Sequence, residues 1–130
     1  MLLPVTLTTA AACAILTLWL MLRCGRTRIE RKILHGDGGD SLMARRMRAQ
    51  LNFVESAPFV LALIALIELA GKGGEWLAFV AGAYIIGRVL HPFGIDHDES
   101  NWMRGAGVGI TMLTLLGLAI YAALIAMGVV

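Results

Sequence analysis

The 130-residue chain is 58% hydrophobic and only 15% charged, with a formal net charge of +2. Water-soluble domains average roughly 45–50% apolar and about 25% charged residues. Composition therefore excludes an ordinary soluble enzyme and points to an all-α integral membrane protein built as one domain over residues 1–130.

The apolar residues fall in blocks. Leu2 to Leu22 contains no charged residue, and neither does Gly105 to Val130; each is long enough, at ~20 residues, to cross a hydrocarbon core of about 30 Å. Two weaker blocks lie between them, one holding Glu55 and Glu68 and the other holding Arg88 and His91. Four transmembrane helices are predicted, over about 2–34, 41–70, 75–91 and 102–130. The first continues past Leu22 as a basic extension until Gly36, Gly38 and Gly39 break it. Asp40 or Ser41 is the expected N-cap of the second, and Pro58 should kink it. Gly71-Lys72-Gly73-Gly74 forms a tight turn, His91-Pro92-Phe93-Gly94 weakens the end of the third helix, and Asp96–Asn101 is a short polar loop.

Eight of the eleven Lys and Arg residues lie between Arg23 and Arg48. By the positive-inside rule the first and third loops are cytoplasmic and both termini lie outside. The charge that follows the first apolar run, with no basic segment before it, argues against a signal peptide. Topology and membrane-lipid headgroups account for the basic loop, so no nucleic-acid partner is expected.

One stripe of polar residues enters the second apolar block. If that block is helical, Arg48, Asn52 and Glu55 share a face at i, i+4 and i+7, and Arg45 extends it one turn earlier. Ionisable groups at such a depth usually face a bundle interior or a wet cavity. Tyr84, Arg88 and His91 share a face of the third helix, and Arg104 opens the fourth at the same level. Several cations converging on one carboxylate suit an anionic, zwitterionic ligand: guanidiniums hold carboxylates in bidentate geometry, and Glu55 can accept an ammonium or amide donor. The alternative is an Arg–Glu network that ties the helices together and satisfies Glu55 without a ligand.

Other motifs read more plainly. Gly105, Gly107 and Gly109 are expected to serve close helix packing rather than a nucleotide loop, because no strand precedes them. His35 with Asp37 and Asp40, and Asp96-His97-Asp98, read as exposed loop residues, and no metal site is expected; Cys13 and Cys24 have no metal-ligand spacing. Glu68 should reach the outer interface, and Trp19, Trp76 and Trp102 fit an aromatic belt.

The segment Arg48-Ala49-Gln50-Leu51-Asn52-Phe53-Val54-Glu55, with Pro58 behind it, resembles the second-helix signature of the MAPEG family, the membrane-associated proteins in eicosanoid and glutathione metabolism. The run Gly36-Asp37-Gly38-Gly39 and the run from Gly87-Arg88 through His91 to Gly94 are similar to the small bacterial branch of that family. The resemblance implies a homotrimer in the bacterial inner membrane, with glutathione as co-substrate between neighbouring subunits on the cytoplasmic side. It also implies that Arg48, Gln50, Asn52 and Glu55 contact glutathione, that Arg88 and His91 help there, and that Arg104 is the catalytic arginine beside the thiolate. Arg45 joins this set by its place on the stripe. Ser56 and Ile95 depart from the pattern, standing where many members carry an aromatic residue and a tyrosine.

Together these readings predict a glutathione-dependent membrane transferase or peroxidase acting on small lipophilic electrophiles. The rival is a non-catalytic scaffold or lipid-binding protein of the same fold. A small four-helix multidrug transporter would require an acid at the membrane centre, and neither Glu55 nor Glu68 sits there.

Overall fold

The computed structural model describes all 130 residues as four helices: α1 (Pro4–Arg31), α2 (Ser41–Leu69), α3 (Glu75–Ile95) and α4 (Trp102–Ala126). Each is long and apolar enough to span a membrane. α1 packs most closely on α2 and α3 on α4, giving two hairpins. Their shared core contains Leu16, Leu20, Phe53, Val60, Ile64, Leu77, Tyr84 and Leu118.

α1 is shorter than predicted, ending at Arg31 rather than near Leu34. Lys32 takes the left-handed conformation (φ 55°), and its N–H bonds back to the Arg28 and Ile29 carbonyls. The chain then turns through Gly36, Gly38 and Gly39, all at positive φ, the conformation that glycine adopts without a Cβ penalty. Asp40, not Ser41, caps α2: its Oδ1 accepts the Met43 N–H at 2.8 Å, while Oδ2 accepts from Arg31 at 2.8 Å. That carboxylate holds the end of one helix and the start of the next. α3 runs past Pro92 to Ile95, where the sequence suggested an end near His91. α2 stops at Leu69 and α4 at Ala126.

The acidic third loop folds onto basic residues of the first hairpin. Asp96 pairs with Arg23 and lies 3.8 Å from Arg46, and Asp98 pairs with Arg45. Nothing in local sequence reveals these bonds, since they join residues 50 or more positions apart. We call this the basic end of the bundle.

At the opposite end Glu68 does more than reach an interface. Its two carboxylate oxygens accept the backbone N–H groups of Val5 and Thr6 at 3.0 and 2.8 Å and the Thr6 hydroxyl at 2.7 Å. The first N–H groups of a helix have no partner within it, so α2 supplies the cap that Leu3 cannot. Glu68→Ala is expected to destabilise the protein by about 1–2 kcal/mol. Hydrogen exchange should then accelerate selectively in the first two turns of α1; a uniform change along the chain would contradict this role.

Of the three glycines expected to serve close packing, only Gly107 does, and Gly94 joins it from α3. A Cβ on Gly107 would lie 2.7 Å from His91 Cβ and 2.8 Å from the Gly87 carbonyl oxygen, and one on Gly94 would lie 2.8 Å from Arg104 Cα. Gly105 and Gly109 face open space. Gly107→Ala is therefore expected to cost about 1–3 kcal/mol by overpacking. Gly109→Ala should gain about 0.5–1 kcal/mol from helix propensity. Thermal unfolding of the two variants checks the contrast.

Candidate functional site

Arg88 is the centre of the site. The sequence puts it in the middle of a hydrophobic helix, and the close approach of α4 at Gly87 and Gly107 seals it in: Arg88 is 2% exposed. Its Nη1 donates to Asn52 Oδ1 at 2.7 Å. Nε and Nη2 are buried without a hydrogen-bond partner, and no carboxylate pairs with the guanidinium. His91, one turn on and also 2% exposed, has its Nδ1 buried without a partner. α2, α3 and α4 each carry an arginine, Arg48, Arg88 and Arg104, at this end of the bundle.

Arg48 and Glu55 form an ion pair at 3.6 Å along the exposed flank of α2, two turns apart. This pair lies within one helix, so it does not tie helices together as the network alternative required. Arg88, the buried cation, bonds the Asn52 amide and leaves Glu55 alone. Arg104 is exposed, and Asn101 fixes the start of its helix: the Asn101 Oδ1 accepts the Arg104 N–H at 3.1 Å while its Nδ2 donates to the Gly94 carbonyl at 2.7 Å. The backbone of Arg104 consequently lies against Gly94, at the level of His91.

Of the sequence-predicted residues, Asn52 and Arg88 share a hydrogen bond with His91 one turn on, Arg48 pairs with Glu55, and the Arg104 backbone packs on Gly94. Gln50 lies to the side, in an open groove of about 490 Å³ lined also by Arg28, Asp37, Met47, Arg48, Leu51 and Val54. Arg45 points elsewhere, into its bond with Asp98. Arg28 is the residue sequence reasoning missed. It donates to the Gly36 carbonyl at 2.8 Å, so the first loop holds its guanidinium at the groove. Its only sequence signal is a place in the basic run.

Directly beneath Asn52 and Arg88, one turn deeper, Ser56 and Tyr84 share a hydrogen bond of 2.9 Å inside the core. Ile95 is buried and apolar. The position therefore offers the site no hydroxyl.

Four membrane-length helices with a cationic cluster at the basic end are the traits of an integral membrane protein. The comparisons with known proteins place the chain accordingly: the model of the MAPEG family matches residues 6–124, and the chain belongs to that family. It is similar to the inner membrane protein YecN of Escherichia coli strain K12, 30% identical over 92 residues that cover 70% of this chain and 69% of YecN. The YecN of Escherichia coli O6:H1 strain CFT073 matches to the same extent.

Proposed function

We propose that this protein binds glutathione at the basic end of the bundle and conjugates it to, or uses it to reduce, small lipophilic electrophiles at the bacterial inner membrane. The observation that carries the reading is the unpaired, buried Arg88 guanidinium. A buried charge without a counter-ion is costly, and a glutathione carboxylate supplies the missing partner in bidentate form. Arg48 and Gln50 meet the rest of the peptide from α2, and Glu55 accepts its ammonium group. Because Arg48, Glu55 and Arg104 open to the protomer surface, the pocket is completed by a neighbouring subunit of a homotrimer, with the basic end cytoplasmic.

The chemistry follows from the charge. A thiol of pKa about 8.5 attacks only as the thiolate, and a guanidinium beside the sulfur favours ionisation. Arg104 serves as that guanidinium. The thiolate forms a bond from sulfur to the electrophilic carbon as the leaving group departs with its electron pair. The aqueous thiol and the membrane-dissolved substrate meet because the site sits where the polar end joins the apolar helices.

A second reading, ligand binding without catalysis, draws support from Ile95, which adds no hydroxyl to position the sulfur. Calorimetry of glutathione binding to the detergent-purified protein tests the shared step. Binding in the micromolar-to-millimolar range, lost in Arg48→Ala, is expected. No heat from the intact oligomer would reject a glutathione site, and binding without turnover of any electrophile would select the second reading.

A further inference from the structure

On the outer flank of α1, away from the residues assigned above, a second cationic recess opens. It has a volume of about 530 Å³ and is lined by Trp19, Leu22, Arg23, Arg26, Glu30 and Arg46. We propose that it holds the headgroup phosphate of an anionic phospholipid, with an acyl chain lying along the adjoining face of α1.

Charge is the first argument. Arg23, Arg26 and Arg46 face the carboxylates of Glu30 and Asp96, leaving a surplus of one positive charge, which matches one phosphodiester. The pairing is also incomplete atom by atom. Asp96 takes one nitrogen of Arg23, and its Oδ1 lies 3.8 Å from Arg46 Nε, too far for a hydrogen bond, so Arg23 Nη1 and Arg46 Nε are left without hydrogen-bond partners. Buried polar groups are nearly always satisfied, and phosphate oxygens accept from guanidinium forks readily.

The second argument is preorganisation. Arg23 is held over the rings of Trp19 and Phe93, 5.2 and 5.8 Å from their centroids, and those rings pack on each other at 5.4 Å. Arg46 is fixed by donating to the Thr27 hydroxyl at 2.7 Å. Both cations are thus in place before any ligand arrives, and tryptophan beside them is the residue that favours headgroup level.

The third argument selects a lipid over a free anion. Leu22, Arg26 and Glu30 also line an adjoining groove of about 560 Å³, whose other residues are Leu18, Met21, Gly25 and Ile29. The leucines and methionine are exposed and lie on the membrane side of the arginines. A headgroup at Arg23, Arg26 and Arg46 therefore leads its chain onto an apolar strip already turned outward. Soluble phosphate has no use for that strip.

Native mass spectrometry of the full chain, released from micelles containing equal amounts of phosphatidylglycerol and phosphatidylcholine, tests the assignment. Retention of phosphatidylglycerol on the order of tenfold above phosphatidylcholine is expected. Arg26→Gln should abolish most of that preference; its side chain is 79% exposed, so the fold does not depend on it. Lys32→Gln, at an exposed cation outside the recess, should leave the preference intact. Equal loss in both variants would mean diffuse attraction to anionic lipid and overturn the site. Displacement of the lipid by millimolar glycerol phosphate would assign the recess to a soluble anion instead, and crosslinking of Arg26→Cys to a second protomer would assign it to subunit contact. Either result would also overturn the proposal.

Discussion

Replacing Arg88 with methionine is expected to weaken glutathione binding by about 30-fold or more without lowering the melting temperature of the ligand-free protein. The two halves of that expectation come from one geometry. Arg88 spends a single hydrogen bond on the protein, to Asn52, and leaves two nitrogens buried and unused. Methionine occupies a similar volume without a charge to desolvate, and exchanging a buried ion for an apolar side chain of similar volume is often neutral or stabilising. Asn52 is only half-buried, so water can replace its lost donor. Calorimetry and thermal unfolding on the same preparation provide the check. Intact binding with a marked loss of stability would make Arg88 a structural residue and remove the main support for the ligand site.

Arg104→Ala should behave differently. If its guanidinium stabilises the thiolate, kcat with saturating glutathione should fall about 10²–10³-fold, the cost of removing one donor aimed at developing or reacting charge. Glutathione affinity should change little, because Arg48, Gln50 and Arg88 hold the peptide. The backbone tolerates the change, since it is the Arg104 N–H, not the side chain, that Asn101 engages. Arg104→Lys should recover part of the rate by restoring the charge without the fork. The thiolate absorbance of bound glutathione offers an independent readout. Unchanged turnover in Arg104→Ala would remove the residue from the chemistry.

Much of this arrangement was legible in the chain. Hydrophobic runs of membrane length fixed four helices, and the period of an α-helix placed Arg48, Asn52 and Glu55 on one face and Tyr84, Arg88 and His91 on another. What local pattern could not reveal was the pairing across elements. Arg45 belongs to the predicted stripe, yet Asp98 draws it aside from the far end of the chain. Glu68 looked like an interfacial acid because its partners are backbone N–H groups, which carry no residue identity. The glycines show the same limit: Gly105, Gly107 and Gly109 are alike in sequence, and only the approach of α3 separates Gly107 from its neighbours. Pro92 suggested an early end to α3 through its missing N–H, but the helix continues to Ile95, and the first turn of α4 packs on its Gly94.

The two hairpins meet across the membrane interior with few polar bonds between them, and the Asn52–Arg88 and Ser56–Tyr84 pairs are stacked one turn apart at that seam. A ligand that engaged Arg88 would therefore act as a latch between two stiff arms. The first arm is braced internally by Asp40 and the second by the close contacts at Gly94 and Gly107. Occupancy at the basic end should accordingly quieten the chain as far down as Tyr84, with a gain in stability that grows with the logarithm of ligand concentration.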